Sequence, residues 1–206
     1  MAITNGYCTL AELKTYLGLS GSGQDDNLEN AVNSASRQID GICSRFFYQT
    51  SSETKYFTPQ HPLYIEIPDL STTSGFTLLI DTSDDGSYDT TLTINTDFYT
   101  KPIDAGNDVG GVQYQPITNI TILDTRSSER FDDTIVKQVK ATGQWGWSAV
   151  PFDIKQATLL QATRLFKRKD SPFSTYGNPE TGTGELFNKF DPDALKLIKR
   201  YIKKTL

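Results

Sequence analysis

The chain has 206 residues and a formal net charge of −5, and 36% of its residues are hydrophobic. This length allows one or two domains that fold without disulfide or metal staples, and the low hydrophobic fraction predicts much loop or solvated sheet. No apolar run approaches the length that crosses a bilayer, and the first ten residues lack the basic and hydrophobic segments of a secretory signal. We therefore expect the protein to be made and kept in the cytoplasm.

The single histidine and the two cysteines disfavour catalysis. Cys8 and Cys43 lie far apart without metal-type spacing, which favours two reduced core thiols. Any triad or histidine metal site would have to use His61, which lies in a turn-like segment between prolines. We predict that the protein is not an enzyme and that it has no cofactor and no metal.

Two helices are predicted at the start of the chain. Thr9 and Glu12 form a capping box ahead of leucines that repeat at helical spacing up to Gly18. After a Ser/Gly link, Asp25 or Asp26 is expected to cap a longer amphipathic helix. Its predicted apolar face comprises Leu28, Ala31, Val32, Ala35, Ile39, Ile42, Cys43 and Phe46.

From about residue 54 to residue 142 the sequence consists of short Thr-, Ile- and Tyr-rich runs separated by Gly, Pro and Asp turns. This pattern is typical of an antiparallel sandwich or barrel. The candidate strands are residues 54–57, 63–67, 76–81, 90–94, 112–115, 120–123 and 135–142.

Residues 81–89, DTSDDGSYD, admit two interpretations. Oxygen-bearing side chains occupy positions 1, 3, 5 and 9 of a calcium loop, with Gly86 at position 6. The closing position holds Leu92 in place of a glutamate, and the flanking segments look like strands. A hairpin turn explains the same residues without metal, and we predict that turn.

Residues 135–169 run from a strand into a long helix. Val139 and Ala141 alternate with polar residues, residues 143–147 are expected to break the strand, and Pro151 and Asp153 mark a helix start. The helix carries the apolar residues Ile154, Ala157, Leu159, Leu160, Ala162, Leu165 and Phe166. These residues do not keep to one stripe, so we expect cover on two sides, one of them a neighbouring copy of the chain.

The charge is unevenly distributed. Residues 153–169 hold five of the 20 basic side chains and one acid, and residues 192–206 hold another five and one. The remainder carries 10 basic and 23 acidic side chains, a net charge of −13. The sequence thus predicts two basic helices on a strongly acidic body.

The last of these helices begins with Asp191 as cap and Pro192 at the first position. Leu195, Ile198 and Ile202 form a predicted apolar stripe. The opposite, basic face comprises Lys196, Lys199, Arg200, Lys203 and Lys204, which a solvated surface also explains. Because residues 170–189 predict a long mobile loop, we expect the helix to act as a tethered arm.

The segment GQWGWSAVPFDIKQA, followed by RLFKR, resembles the head-to-tail connector (adaptor) proteins of tailed bacteriophages. Other segments match the family in the same order: the capped first helix, the second helix ending in SRFF, and the YF, FY and PI segments. The resemblance therefore covers nearly the whole chain. It implies an α+β fold with a bundle of about four helices and an inserted antiparallel β-sandwich or barrel-like region. We expect residues 1–50 and 145–206 to form the helical, ring-forming domain with its C-terminal arm, and residues 51–144 to form the inserted β-domain.

The resemblance implies a structural virion protein at the head–tail interface, without catalytic residues. In this family a homo-oligomeric ring, commonly dodecameric, lies under the portal protein, contacts a stopper or tail protein below, and lets DNA pass without specific binding or any membrane. Portal docking is then expected of Leu195, Lys196, Ile198, Lys199, Arg200, Ile202, Lys203 and Lys204. Contact between subunits is expected of Trp145, Trp147, Leu159 and Phe166; the two tryptophans stand where the family often has Gly or Tyr.

An acidic body suits a DNA conduit, because each phosphate neutralised by Lys or Arg adds affinity and friction. Two other functions remain open on the sequence. A sugar- or calcium-binding β-module of a phage tail or surface protein would use the Tyr-rich sheet and residues 81–89. A DNA-binding protein would use the two basic helices, although the acidic body and the absence of a recognition motif disfavour it.

Overall fold

The computed structural model describes residues 2–108, 110–168 and 190–203, together with the backbone of residues 175–176 and 184–185. Apart from those four residues, the predicted mobile loop at 170–189 lies outside the described residues. The chain divides into two compact units. The helical unit is formed by Met1–Phe46 and Val150–Leu206, and the β unit is formed by Phe47–Ala149.

The fold class is α+β. The helices are α1 (Leu10–Leu17), α2 (Asp25–Cys43), α3 (Phe152–Arg168) and α4 (Pro192–Ile198), which a 3-10 turn extends over Lys199–Tyr201. The strands are β1 (Gln49–Phe57), β2 (Tyr64–Leu70), β3 (Thr77–Ile80), β4 (Thr90–Leu92), β5 (Phe98–Lys101), β6 (Ile117–Ile122), β7 (Val139–Gly146), β8 (Thr175–Tyr176) and β9 (Gly184–Glu185). No helix within the described ranges is both long and apolar enough to cross a membrane.

Local signals set the first two helices. The predicted capping box at the start of α1 is confirmed, since the Thr9 hydroxyl accepts from the Glu12 N–H and the Glu12 carboxylate accepts from the Thr9 N–H. Gly18 ends α1 with a left-handed φ of 65°. The predicted cap of α2 is wrong, because Gln24 occupies the N-cap position. Asp25 and Asp26 lie in the first turn instead, where a carboxylate favours the positive end of the helix dipole.

The core of the helical unit joins three helices. Its main cluster comprises Cys8, Leu13, Leu28, Ala31, Val32, Ala35, Leu159 and Ala162. An ion pair of 2.8 Å between Lys155 Nζ and Glu12 Oε1 also ties α3 to α1. That ammonium and the Thr9 backbone hold the pKa of Glu12 below its usual range. Six of the eight residues of the apolar face predicted for α2 are buried by the chain itself. Ile42 and Phe46 are half-buried, and Phe46 lies beyond the end of α2 at Cys43.

Both cysteines are free and buried in the helical unit. Burial raises the pKa of Cys8 and of Cys43 from 9.0 to about 12. We expect both thiols of the native protein to react with a thiol reagent at least about a thousandfold more slowly than after unfolding, because the thiolate is the nucleophile. Stopped-flow labelling at pH 8, with and without denaturant, measures this. Equal rates in the two states would contradict the buried placement.

The β unit is built around β7. Its sheet has the order β4-β3-β7-β2-β6-β5, with β1 also paired to β7, and every ladder is antiparallel. The two ends of this order meet at an isolated bridge between Ile94 and Phe98, so the sheet is a nearly closed barrel. β8 and β9 form a separate two-stranded ladder.

The alternation of β7 is confirmed, with Val139 and Ala141 buried, but two other strand predictions are wrong. The strand predicted at residues 112–115 is absent, because these residues lie in a turn region. Conversely, β5 was not predicted from the sequence. β7 also does not break at residue 143, because it runs on through Gly146. A Cβ atom at Gly143 would lie 2.8 Å from Phe76 and 2.9 Å from Leu70. Glycine at this position thus permits close packing inside a continuous strand.

Candidate interaction surface

The C-terminal helix packs against its own unit. α4 lies on α3, with Ala194, Ile198 and Tyr201 facing inward at no more than 1% exposure. Leu195 and Ile202 are 42% and 37% exposed. Leu195 and Ile202 therefore do not share a buried face with Ile198, and the predicted stripe is wrong for these two residues. The 3-10 turn after Ile198 has three residues per turn, which brings Tyr201 inward in place of Ile202.

Polar contacts fix both ends of this element. The Asp191 carboxylate accepts from the N–H groups of Asp193 and Ala194, and the Asp191 N–H donates to Gln161 Oε1 over 2.9 Å. At the other end, the Lys203 N–H donates to the Cys43 carbonyl over 2.9 Å. Within the described residues the element is a docked part of the helical unit, so the expected free arm is wrong.

The outer side of α4 and its 3-10 turn presents a mixed apolar and basic surface. We call it the C-terminal surface; it comprises Leu195, Lys196, Lys199, Arg200 and Ile202, all exposed. Of the other predicted docking residues, Ile198 is covered by its own unit, Lys203 is half-buried, and Lys204 lies outside the described residues. A portal contact through the C-terminal surface stays a prediction.

The two tryptophans lie inside the β unit with 0% exposure. The Trp145 indole donates to the Glu53 carbonyl over 2.9 Å, and the Trp147 indole donates to Asp69 Oδ2 over 2.9 Å. The ring of Trp147 also packs on Phe47 with centroids 5.0 Å apart. Their contacts are thus with the chain's own core, and a role between subunits stays a prediction.

The two predicted interface residues of α3 differ in accessibility. Leu159 is 8% exposed and belongs to the main core cluster, whereas Phe166 is half-buried at the edge of that cluster. α3 contacts α1, α2 and α4, so the chain itself covers it on more than one side. Phe166 lines an open hollow of about 240 Å³ beside α2, together with Leu165 and Asn27. Of the two, Phe166 is the residue that a neighbour can reach.

The hairpin predicted at residues 81–89 is confirmed by the antiparallel pairing of β3 with β4. Asp81 is buried, and its two carboxylate oxygens accept from the N–H groups of Ser83 and Gly86 over 3.0 and 2.8 Å. These bonds organise the turn from within. Within the described ranges no group of three or more His, Cys, Asp or Glu residues could hold a metal ion.

Replacing Asp81 with asparagine is expected to weaken the acid sensitivity of the β unit. Burial raises the pKa of Asp81, but the N–H groups of Gly86, Ser83 and two further turn residues outweigh it and hold the pKa below the usual 3.8. A lowered folded-state pKa gives stability above pH 3.8 that is lost as the pH falls through the folded-state pKa. The melting temperature of the parent should fall more steeply below pH 3.8 than that of Asp81→Asn. Asp133→Asn, at an exposed site, is the control; equal slopes in all three proteins would contradict this role.

The two units differ strongly in charge. Residues 47–149 carry 14 acidic and 6 basic side chains, a net charge of −8. The rest of the chain carries 11 acidic and 14 basic side chains, a net charge of +3. The acidity predicted for the body is therefore concentrated in the β unit.

Solved structures share the architecture over the whole chain. A chain in the neck of an empty gene transfer agent (GTA) particle, computed with C6 symmetry, is 14% identical with a TM-score of 0.53. A chain in the virion of a native GTA particle is 16% identical with a TM-score of 0.54. Each match covers 100% of this chain and 94% of the other. This protein shares its fold with GTA particle proteins.

No protein-family model matches the chain, and no curated protein sequence does. At these identities the likeness to the GTA chains concerns the fold. The GQWGWSAVPFDIKQA segment that resembles phage adaptors runs from the end of β7 into α3, where the chain passes from the β unit back to the helical unit.

Proposed function

We propose that this protein is a structural protein of the neck of a phage-like virion, a head-to-tail connector that forms a ring under the portal. The observation that carries the proposal is the end-to-end fold match to GTA chains, over 100% of this chain and 94% of theirs. One of those chains belongs to a particle neck. The adaptor-like segment between β7 and α3 supports the same function independently of the fold comparison.

The charge distribution supports a conduit for DNA. Each phosphate that a Lys or Arg neutralises releases counterions and adds affinity, which would hold the DNA in place. A β unit with a net charge of −8 repels the polyanion and leaves it free to slide. DNA would then pass through the ring without specific binding.

A ring requires a head-to-tail contact that closes on itself, since the same contact repeated without closure gives a filament. The C6 symmetry applied to the GTA neck is consistent with a cyclic assembly. By the adaptor resemblance we propose a dodecameric ring, with the portal protein above and a stopper or tail protein below.

The C-terminal surface is the proposed portal contact. Leu195 and Ile202 supply exposed apolar area, and Lys196, Lys199 and Arg200 surround them with positive charge. Burial of such side chains gives affinity, while rim charges set orientation and association rate. This contact uses the exposed side of a docked helix and needs no free arm.

Deletion of the gene in a particle-producing host tests the proposal. We expect DNA-filled heads without tails, and restoration of tailed particles when the gene is supplied in trans. Tailed particles that form normally without the protein would contradict the connector function. Tailed particles that fail only in adsorption would instead indicate a surface-binding β-module.

A further inference from the structure

Two aliphatic side chains of the β unit are left largely uncovered. Ile103 is 82% exposed and Val136 is 73% exposed, more than any other large hydrophobic side chain within the described residues. Single exposed apolar residues are common on protein surfaces, so exposure alone does not mark a contact. Each of these two residues, however, is accompanied by an exposed tyrosine and by charges of a single sign, and the sign differs between the two places.

The first of these surfaces lies on the loop between β5 and β6. We call it the acidic loop surface; it comprises Ile103, Asp104, Asp108 and Tyr114, all exposed. Two backbone hydrogen bonds join the arms of the loop. The Gly106 N–H donates to the Gln115 carbonyl over 2.8 Å, and the Gln115 N–H donates to the Asn107 carbonyl over 3.3 Å. Neither aspartate of this surface forms an ion pair with another described residue.

Tyr114 has an unusual backbone conformation within this loop. Its φ of 55° lies in the left-handed region. This region is uncommon for an aromatic residue, because the Cβ atom crowds the following carbonyl. Residues held in such conformations concentrate at functional sites. The ring is 40% exposed, so it is accessible to a neighbouring molecule.

The second surface lies at the start of β7. We call it the basic turn surface; it comprises Tyr56, Tyr88, Val136, Lys137 and Lys140. The Tyr88 hydroxyl donates to the Lys137 carbonyl over 2.7 Å, and the Lys137 N–H donates to Thr58 Oγ1 over 2.9 Å. The Tyr88 ring packs on Tyr56 with centroids 5.6 Å apart, and the Lys140 ammonium lies 5.5 Å from its centroid. A surface that is ordered before binding loses little entropy on binding.

The charges of the two surfaces are complementary. The β unit has a net charge of −8, so two β units side by side repel each other unless a basic surface lies between them. Residues 136–149 carry two basic side chains and no acid, and residues 102–115 carry two acids and no base. Within the described ranges Lys137 forms no ion pair, so its charge is available to a partner.

We propose that the acidic loop surface of one copy binds the basic turn surface of the neighbouring copy in the ring. Ile103 and Val136 cover each other, and Asp104 pairs with Lys137. The two surfaces are different parts of the same chain, so the contact is head-to-tail, as ring formation requires. The inference rests on the proposed function, because it assigns a subunit contact of that ring.

Cysteine cross-linking tests the contact on rings assembled with the portal protein. The two native cysteines are buried, so a short bismaleimide should react with introduced cysteines alone. We expect a mixture of Ile103→Cys and Val136→Cys to give a cross-linked dimer, and the protein with both changes to give a ladder up to the full ring. Either change alone should give no cross-link, because a head-to-tail contact does not bring two copies of one surface together.

A matched control uses another exposed turn of the β unit. Ser74→Cys replaces Val136→Cys in the mixture with Ile103→Cys, and we expect no cross-linked dimer. A dimer as abundant as that formed with Val136→Cys would show random collision and would overturn the contact.

Charge reversal tests the polar part of the contact, with rings counted by electron microscopy. Asp104→Lys and Lys137→Glu should each lower ring yield about tenfold, since like charges then face each other. The combination should return the yield to within about threefold of the parent, because opposite charges face each other again. Glu66→Lys makes the same change of charge at an exposed strand position of the β unit and should assemble like the parent. Melting temperatures should stay close to that of the parent, because these side chains are exposed.

The outcomes distinguish this inference from the proposed function. A parent protein that forms no ring contradicts both. A parent that forms rings, with no cross-link between Ile103→Cys and Val136→Cys or with a charge combination no better than its parts, overturns only the contact. Cross-linking by one of the cysteine variants alone would indicate a symmetric contact and would also overturn it.

Discussion

Replacing Ile198 with alanine is expected to lower the free energy of unfolding of the helical unit by about 2 to 5 kcal/mol. Ile198 has 0% exposure and lies between Ala194 and Tyr201 on the side of α4 that faces α3. Its truncation leaves a cavity that the helices can close only in part. Urea unfolding followed by circular dichroism at 222 nm measures the change.

Leu195→Ala is the matched control, because Leu195 has similar size on the same helix but is 42% exposed. Its effect should stay within about 1 kcal/mol. Equal, small effects of both changes would mean that α4 is not docked in solution. Deletion of residues 191–206 should likewise destabilise the helical unit, in contrast to the harmless truncation that a free arm would predict.

Replacing Trp147 with alanine is expected to lower the free energy of unfolding of the β unit by about 3 to 5 kcal/mol. Trp147 has 0% exposure, packs on Phe47 and donates its indole N–H to Asp69. The change removes a large apolar volume and a buried hydrogen bond together. Trp145 then remains the single tryptophan, so its fluorescence reports unfolding of the β unit directly.

Trp147→Phe separates the two contributions. Phenylalanine retains an aromatic ring against Phe47 and loses the N–H donor, so we expect a smaller loss than in Trp147→Ala. An unfolding midpoint in Trp147→Ala that equals that of the parent would contradict a structural role for this ring.

Short-range signals in the sequence predicted much of the helical unit. Thr9 with Glu12 and the glycine at 18 act within one turn, so the start and the end of α1 follow locally. The spacing of Leu28, Val32 and Ile39 likewise predicts the buried face of α2, although its cap was predicted at the wrong residue. The hairpin at residues 81–89 followed in the same way, from turn residues between two apolar runs.

Signals that depend on tertiary contacts were misread. Gly143 resembles a strand break, and only the neighbouring Phe76 and Leu70 show that it permits close packing. β5 has four residues, of which only Phe98 is buried, so it carries almost no alternation. Both errors concern partners that are distant in sequence, which periodicity cannot reveal.

The C-terminal helix shows the same limit for the candidate site. Leu195, Ile198 and Ile202 share a face only if the α-helix continues, but it tightens to a 3-10 turn after Ile198. An aromatic residue three positions after Ile198 was the available signal for Tyr201 as a core residue. The basic residues at 196, 199 and 200 were predicted to be exposed and are exposed.

Cryo-electron microscopy of the protein bound to the portal of its own particle would show directly whether the chain is a ring-forming connector. We expect a closed ring of copies under the portal, with an open channel for DNA. The C-terminal surface should contact the portal. Isolated copies on the portal, a filament, or no binding at all would contradict the assignment of this chain as a ring-forming connector.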